Sequence, residues 1–241
     1  MFHGRWDYWI RTIDARKPLD EPIPQIQFEA HPRNEATKNI TDCIQIIQAK
    51  GHGANEAWCS FIDWLLWGFG SDLLKDFPDR IDEDASWRLY TTFNLGVMMQ
   101  TPADYMAWGS TELAVMKAGG YFPTPMNVCI MMAATQMTGR DKTSKTIDPC
   151  VGTGSMLLAA SNYSLRLYGQ DINLNMVKMC HVNGFIFVPW LVAPGDKWID
   201  WKSQADYRKA IEVFEAWQTE IINPVPLITH HPPSNTLNDW I

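Results

Sequence analysis

The spacing of apolar residues gives the chain three textures. Over residues 1–38 the apolar positions keep no period and are broken by prolines and mixed charge (KPLDEPIPQIQFEAHPRNEAT), which predicts an extended arm wrapped over a surface, with few helices. Over 39–118 they recur at helical spacing in ITDCIQIIQAK, NEAWCSFIDWLLWGFGSDLLKDF, DEDASWRLYTTFNLGVMMQ and PADYMAWGSTELAVMKA, so a region of four helices is expected. Thr41 or Asn55 serves as a cap, Asp82 to Asp84 occupy a first turn, Pro102 suits a first helical position, and Gly119-Gly120 end the run. From 119 to 241 helix and strand patterns alternate. PMNVCIMMAATQM, GTGSMLLAASNYS, NLNMVKMCHVNGFIF and ADYRKAIEVFEAWQ read as helices, and KTID, LRLYGQD, WLVAPGD and EIINPVP as strands. Such alternation implies βαβ units around a parallel sheet, an α/β fold of Rossmann type preceded by the helical region.

Composition adds limits to this outline. With 46% hydrophobic and 20% charged residues in 241, the chain is far from the composition of disordered proteins and long enough for a real core. Its 12 Trp belong in cores or interfaces, and the Trp-rich helices between Trp58 and Trp108 are the expected contact surface for a second chain. The cysteines, Cys43, Cys59, Cys129, Cys150 and Cys180, form no CxxC pair, which argues against a disulfide framework or a zinc site. The start, MFHGRWDYWI, carries charge inside its apolar stretch, and no run of about 18 apolar residues is present. A cytoplasmic protein is expected. Net charge −7 opposes a general nucleic-acid coat, because phosphate binding needs clustered cations. The small basic groups, Arg5, Arg11, Arg16 and Lys17, then Arg140, Lys142 and Lys145, read as solvated surface.

Candidate chemistry centres on Asp148-Pro149-Cys150-Val151-Gly152-Thr153-Gly154-Ser155, between a predicted strand and an apolar helix. Glycines there let the backbone turn tightly and approach a nucleotide-like ligand. Asp171 follows at the tip of the next predicted strand, where a carboxylate can accept hydrogen bonds from both hydroxyls of a ribose. A nicotinamide site would ask for a third glycine, so that a helix start can meet a pyrophosphate, and that place holds Leu157. S-adenosylmethionine has no phosphate and needs only the turn and the carboxylate.

Gly119-Gly120-Tyr121-Phe122-Pro123-Thr124-Pro125, then DPCVGTGSMLLAA, YGQDINLNMVKMCHVNGFIF and APGDKW, resemble the N6-adenine DNA methyltransferases, most of all the modification subunits of type I restriction systems. The resemblance covers roughly residues 119–197. It implies that Phe122, Thr124, Pro125, Asp148, Gly152 and Gly154 hold the methionine end of the cofactor, that Asp171 holds the ribose, and that Asp196 lies beside the adenine. After the fourth strand it implies that Asn223 and the Pro224 carbonyl accept hydrogen bonds from the target amine.

The departures from the family lie beside those last two residues. Asn223-Pro224-Val225-Pro226-Leu227 lacks the second proline and the aromatic ring on which an extruded base would stack. Such a ring is worth about 1 to 3 kcal/mol, so Leu227 implies weakened capture of adenine. The family also continues with further strands and a target-recognition region, so an open sheet edge is expected to be covered by the arm or by another chain. His230-His231 has no third ligand at a metal spacing. The two readings that result are a methyl transfer from S-adenosylmethionine to the N6 amine of adenine in DNA, and a non-catalytic cofactor-binding or assembly subunit.

Overall fold

The computed structural model describes residues 2–113 and 122–201. After a 3-10 turn at Phe2–Gly4, helix α1 spans Arg5–Ala15. An extended segment then leads to α2 (Glu35–Gln48), α3 (Ala54–Gly68), α4 (Glu83–Thr92), α5 (Leu95–Gln100) and α6 (Tyr105–Glu112). The second half runs α7 (Met126–Met137), β1 (Lys145–Asp148), α8 (Ser155–Ala160), β2 (Arg166–Gly169), α9 (Leu174–Phe187) and α10 (Pro189–Val192). Strands β1 and β2 pair in parallel, from Lys145 opposite Arg166 to Asp148 opposite Gly169, with α8 as the crossover. Helix α8 packs on both strands and α7 packs on α8. This is one βαβ unit of an α/β fold.

Helix α9 is buried nearly all round because its sequence has almost no polar face, as a helix in the middle of a core should. It packs against α3, α6 and α10, and so joins the helical region to the βαβ unit in a single core that runs from Tyr8 to Trp201. A half-buried ion pair, Lys178 to Asp63 at 2.8 Å, ties it to α3.

The start of the chain is extended only after residue 16, because one helix, α1, precedes the arm. In α1 the buried Arg5, Tyr8, Trp9 and Thr12 share one helical face, and Asp7 and Arg11 pair along the exposed side. Arg5, expected on the surface, is wholly buried. Its guanidinium donates to the Pro24 carbonyl, to Ser161 Oγ, to the Phe187 carbonyl and to Asn162 Oδ1, and lies 5.1 Å from the Trp190 ring centre. Ser161 and Phe187 close α8 and α9, so the cation sits where both helices expose carbonyls at their negative ends. Beyond α1, Ile23, Ile26 and Phe28 are buried, and the segment is fastened by Ile26 N–H to Asn162 Oδ1 (2.9 Å) and by Lys142 to the Leu19 and Glu21 carbonyls.

Three other expectations change. The third predicted strand, WLVAPGD, is instead the short helix α10 followed by a 3-10 turn at Gly195–Lys197. Pro189 fixes a helical first position, and the Trp9 indole binds the Ala193 carbonyl at 2.8 Å. The predicted helix over 82–100 breaks at Phe93, where Asn94 caps α5. Helix starts are capped by Asn34, Asp82 and Asp104, with Asn34 and Thr37 forming a reciprocal box; Thr41, Asn55 and Pro102 do not play that part. Gly119, Gly120 and the predicted helix and strand beyond residue 201 lie outside the described residues.

Candidate functional site

The turn that follows β1 is built on the end of β2. Gln170 N–H donates to the Asp148 carbonyl and Val151 N–H to the Gln170 carbonyl, each at 2.9 Å, so the parallel ladder continues into the loop. Gly152 N–H then donates to Asp171 Oδ2 at 2.9 Å, and the other carboxylate oxygen takes Asn173 N–H at 2.8 Å. Asp148 Oδ1 accepts from the N–H of Cys150, which is exposed. Gly152 and Gly154 have φ of 54° and 94°, the left-handed region that glycine adopts without strain. At Gly154 a Cβ would come within 2.8 Å of Cys180 Sγ, so the turn rests directly on α9.

Asp148, Gly152, Gly154 and Asp171 are therefore brought together as one unit. Burial holds the Asp148 carboxyl above its ordinary range, and the nearby Asp171 charge adds to that. Thr124 and Pro125 open α7, whose Cys129 thiol touches the Thr124 carbonyl. Burial pushes that thiol up to about 12, with the charges of Asp104 and Asp148 contributing, so the first turn of α7 stands near both carboxylates. Phe122 is 88% exposed. Asp196 is engaged elsewhere: one oxygen pairs with Arg166 on β2 at 3.1 Å and the other accepts from the Tyr168 hydroxyl. Asn223 and Pro224 lie outside the described residues.

Other residues at this turn escaped the sequence reading. Asp104, the cap of α6, is buried, and its Oδ2 accepts from the hydroxyls of Thr153 (2.7 Å) and Ser155. Asn183 on α9 donates to Asp104 Oδ1 and to the Thr153 carbonyl, both at 2.9 Å. The one signal for Asp104 was its place ahead of a helical pattern; Asn183 showed none. Ile172, next to Asp171, is 97% exposed, an unusual position for a large apolar side chain beside a polar turn. Among the described residues no cluster of His, Cys, Asp and Glu could hold a metal ion.

A strand, a glycine turn on a helix start and a carboxylate after the next strand stand together in a small parallel unit compatible with an α/β fold. Residues 111–187, from α6 to the end of α9, match a family model described as N-6 DNA Methylase. No solved structure matches the chain. The match contains the whole turn, Asp171 and Asn183, and it supports kinship with DNA methylases over that stretch.

Proposed function

We propose that the turn at 148–154 binds S-adenosylmethionine and that the chain serves methyl transfer to the N6 amine of adenine in DNA, as the type I modification subunits it resembles do. The observation that carries this reading is the Gly152 N–H bond to Asp171, which holds a carboxylate at the mouth of a turn made of glycine backbone. The residues suit this cofactor better than a dinucleotide. Leu157, in the place of a third glycine, is buried in the core, and among the described residues the acidic groups hydrogen-bonded to the turn are the carboxylates of Asp104, Asp148 and Asp171. Such a site repels phosphate and favours a cation. When bound, the cofactor supplies an electrophilic methyl group on a sulfonium.

Asp171 holds the ribose hydroxyls, Gly152 leaves room for the methionine end, Gly154 seats the turn on α9 beneath that end, and Phe122, Thr124 and Pro125 border it from the start of α7. Ile172 and Phe122 are the open apolar side chains that the ligand would cover. Asn223 and the Pro224 carbonyl accept hydrogen bonds from the target amine and raise electron density on its nitrogen. Asp196, committed to Arg166 and Tyr168, is the weakest member of the set.

A second reading, a cofactor-binding subunit without catalysis of its own, is favoured by net charge −7 and by Leu227 in the place of a stacking aromatic. Calorimetric titration with S-adenosylmethionine and with NAD, followed by mass spectrometry of DNA incubated with protein and cofactor, separates the readings. Binding of S-adenosylmethionine with methylated adenine supports transfer, binding without methylation supports the subunit, and binding of NAD alone rejects both.

A further inference from the structure

The carboxylate of Asp104 is buried, and four donors meet it: Ala107 N–H and Asn183 Nδ2 on Oδ1, Thr153 Oγ1 and Ser155 Oγ on Oδ2. Two of these donors belong to the glycine turn, and Asn183 binds the Thr153 carbonyl as well, so the 153–155 side of the turn is held through both backbone and side chains. Among the described residues Asp104 has no cation within ion-pair distance; every salt bridge of the described chain lies elsewhere. A buried anion satisfied only by neutral donors keeps a strong field, because little solvent screens it. We propose that Asp104 is a positioning residue of the candidate cofactor site: it fixes the inner side of the glycine turn and sets a negative charge behind it that favours a cationic ligand.

The proposal rests on reading the turn as an S-adenosylmethionine site. The packing beneath the turn points the same way. Cys180, the side chain on which Gly154 rests, has its thiol pushed up by burial and then by Asp104, Asp148 and Asp171, so the three charges converge on one point beneath the turn. Asp104 belongs to the cap of α6, which places the helical region in direct contact with the site. A sulfonium cation gains from this field, whereas the neutral thioether of S-adenosylhomocysteine does not.

The test pairs Asp104→Asn, which removes the charge, with Ser155→Ala, which removes one hydrogen bond and leaves it. In the ligand-free proteins, amide hydrogen exchange over 151–155 rises several-fold in both variants relative to α2 and α3. In titrations, Asp104→Asn weakens S-adenosylmethionine on the order of tenfold more than S-adenosylhomocysteine, and Ser155→Ala weakens the two alike. Unchanged exchange at the turn, or an equal loss for both ligands in Asp104→Asn, overturns the proposal. Should Asp104→Asn fail to fold, the exchange of Ser155→Ala still decides the positioning role. A wild-type protein that binds neither ligand overturns the cofactor reading and the charge selectivity with it, while faster exchange in the variants upholds the positioning role.

Discussion

Asp171 carries two loads, because it takes the Gly152 and Asn173 N–H groups and is the group assigned to the ribose. Asp171→Ala is expected to weaken S-adenosylmethionine about ten- to a hundredfold, since hydrogen bonds to a charged group are worth roughly 1.5 to 3 kcal/mol; an unchanged dissociation constant removes Asp171 from the site. Gly152→Val places a β-branched side chain at a φ of 54° and in the backbone's approach to the ligand, so binding is lost. The fold should largely persist by circular dichroism, and a variant that still binds points to another pocket. Asp148 gives the site a pH dependence. Its carboxyl is held above the usual range, and a cation prefers the ionised form, so affinity for S-adenosylmethionine falls as pH drops through that raised value. Asp148→Asn flattens the profile in calorimetry across pH, and a wild-type profile already flat through that range contradicts the assignment.

At the scale of elements, local pattern fixes the kind of most segments and their bounds less well. KTID is a strand as expected and LRLYGQD one over Arg166–Gly169, NLNMVKMCHVNGFIF is a helix from Leu174, and GTGSMLLAASNYS is helical only over Ser155–Ala160 because its first residues form the glycine turn; each pattern is set by residues close in sequence. WLVAPGD failed because a short apolar run fits a strand and a buried helical turn equally, and Pro189 decides between them. Arg5 failed for another reason: charge argues for the surface, and only contacts with residues 161, 162 and 187 explain its burial. Arg5→Met takes a donor away from the Phe187 carbonyl that closes α9, the Pro24 carbonyl, Ser161 Oγ and Asn162 Oδ1. It is expected to cost about 2 to 4 kcal/mol in urea denaturation, and a loss under about 0.5 kcal/mol would show that Trp190 packing holds α1 by itself. The Asp104 network was invisible for the same reason as Arg5, being a meeting of α6, the turn and α9 that no local spacing encodes.

For the molecule as a whole, half of the tryptophans among the described residues belong to the core, Trp201 with them. Trp9, Trp58 and Trp190 are fully buried, and Trp64 nearly so. Of the Trp-rich helices, the most open part among the described residues is the stacked pair Trp87 and Tyr90 on α4, 66% and 71% exposed, with Trp67 in the last turn of α3 against Phe77. The contact with a second chain, if the site is completed in trans, narrows to that pair. With net charge −7 the isolated chain is expected to bind DNA weakly and to methylate slowly. Sedimentation and electrophoretic shift assays test this, and a monomer with nanomolar DNA affinity and normal turnover rejects it. Trp87→Ala should then lower self-association without changing cofactor affinity.

Cys150 turns the site into its own reporter. Cys43, Cys59, Cys129 and Cys180 are held protonated by burial, whereas Cys150 stands exposed two residues before Gly152. Because a reagent must reach the sulfur, an alkylating agent should modify Cys150 first and the buried thiols only when the protein unfolds. A ligand seated on the turn shields that one sulfur. The rate of labelling, followed by mass spectrometry against ligand concentration, thus traces a binding curve on the native sequence.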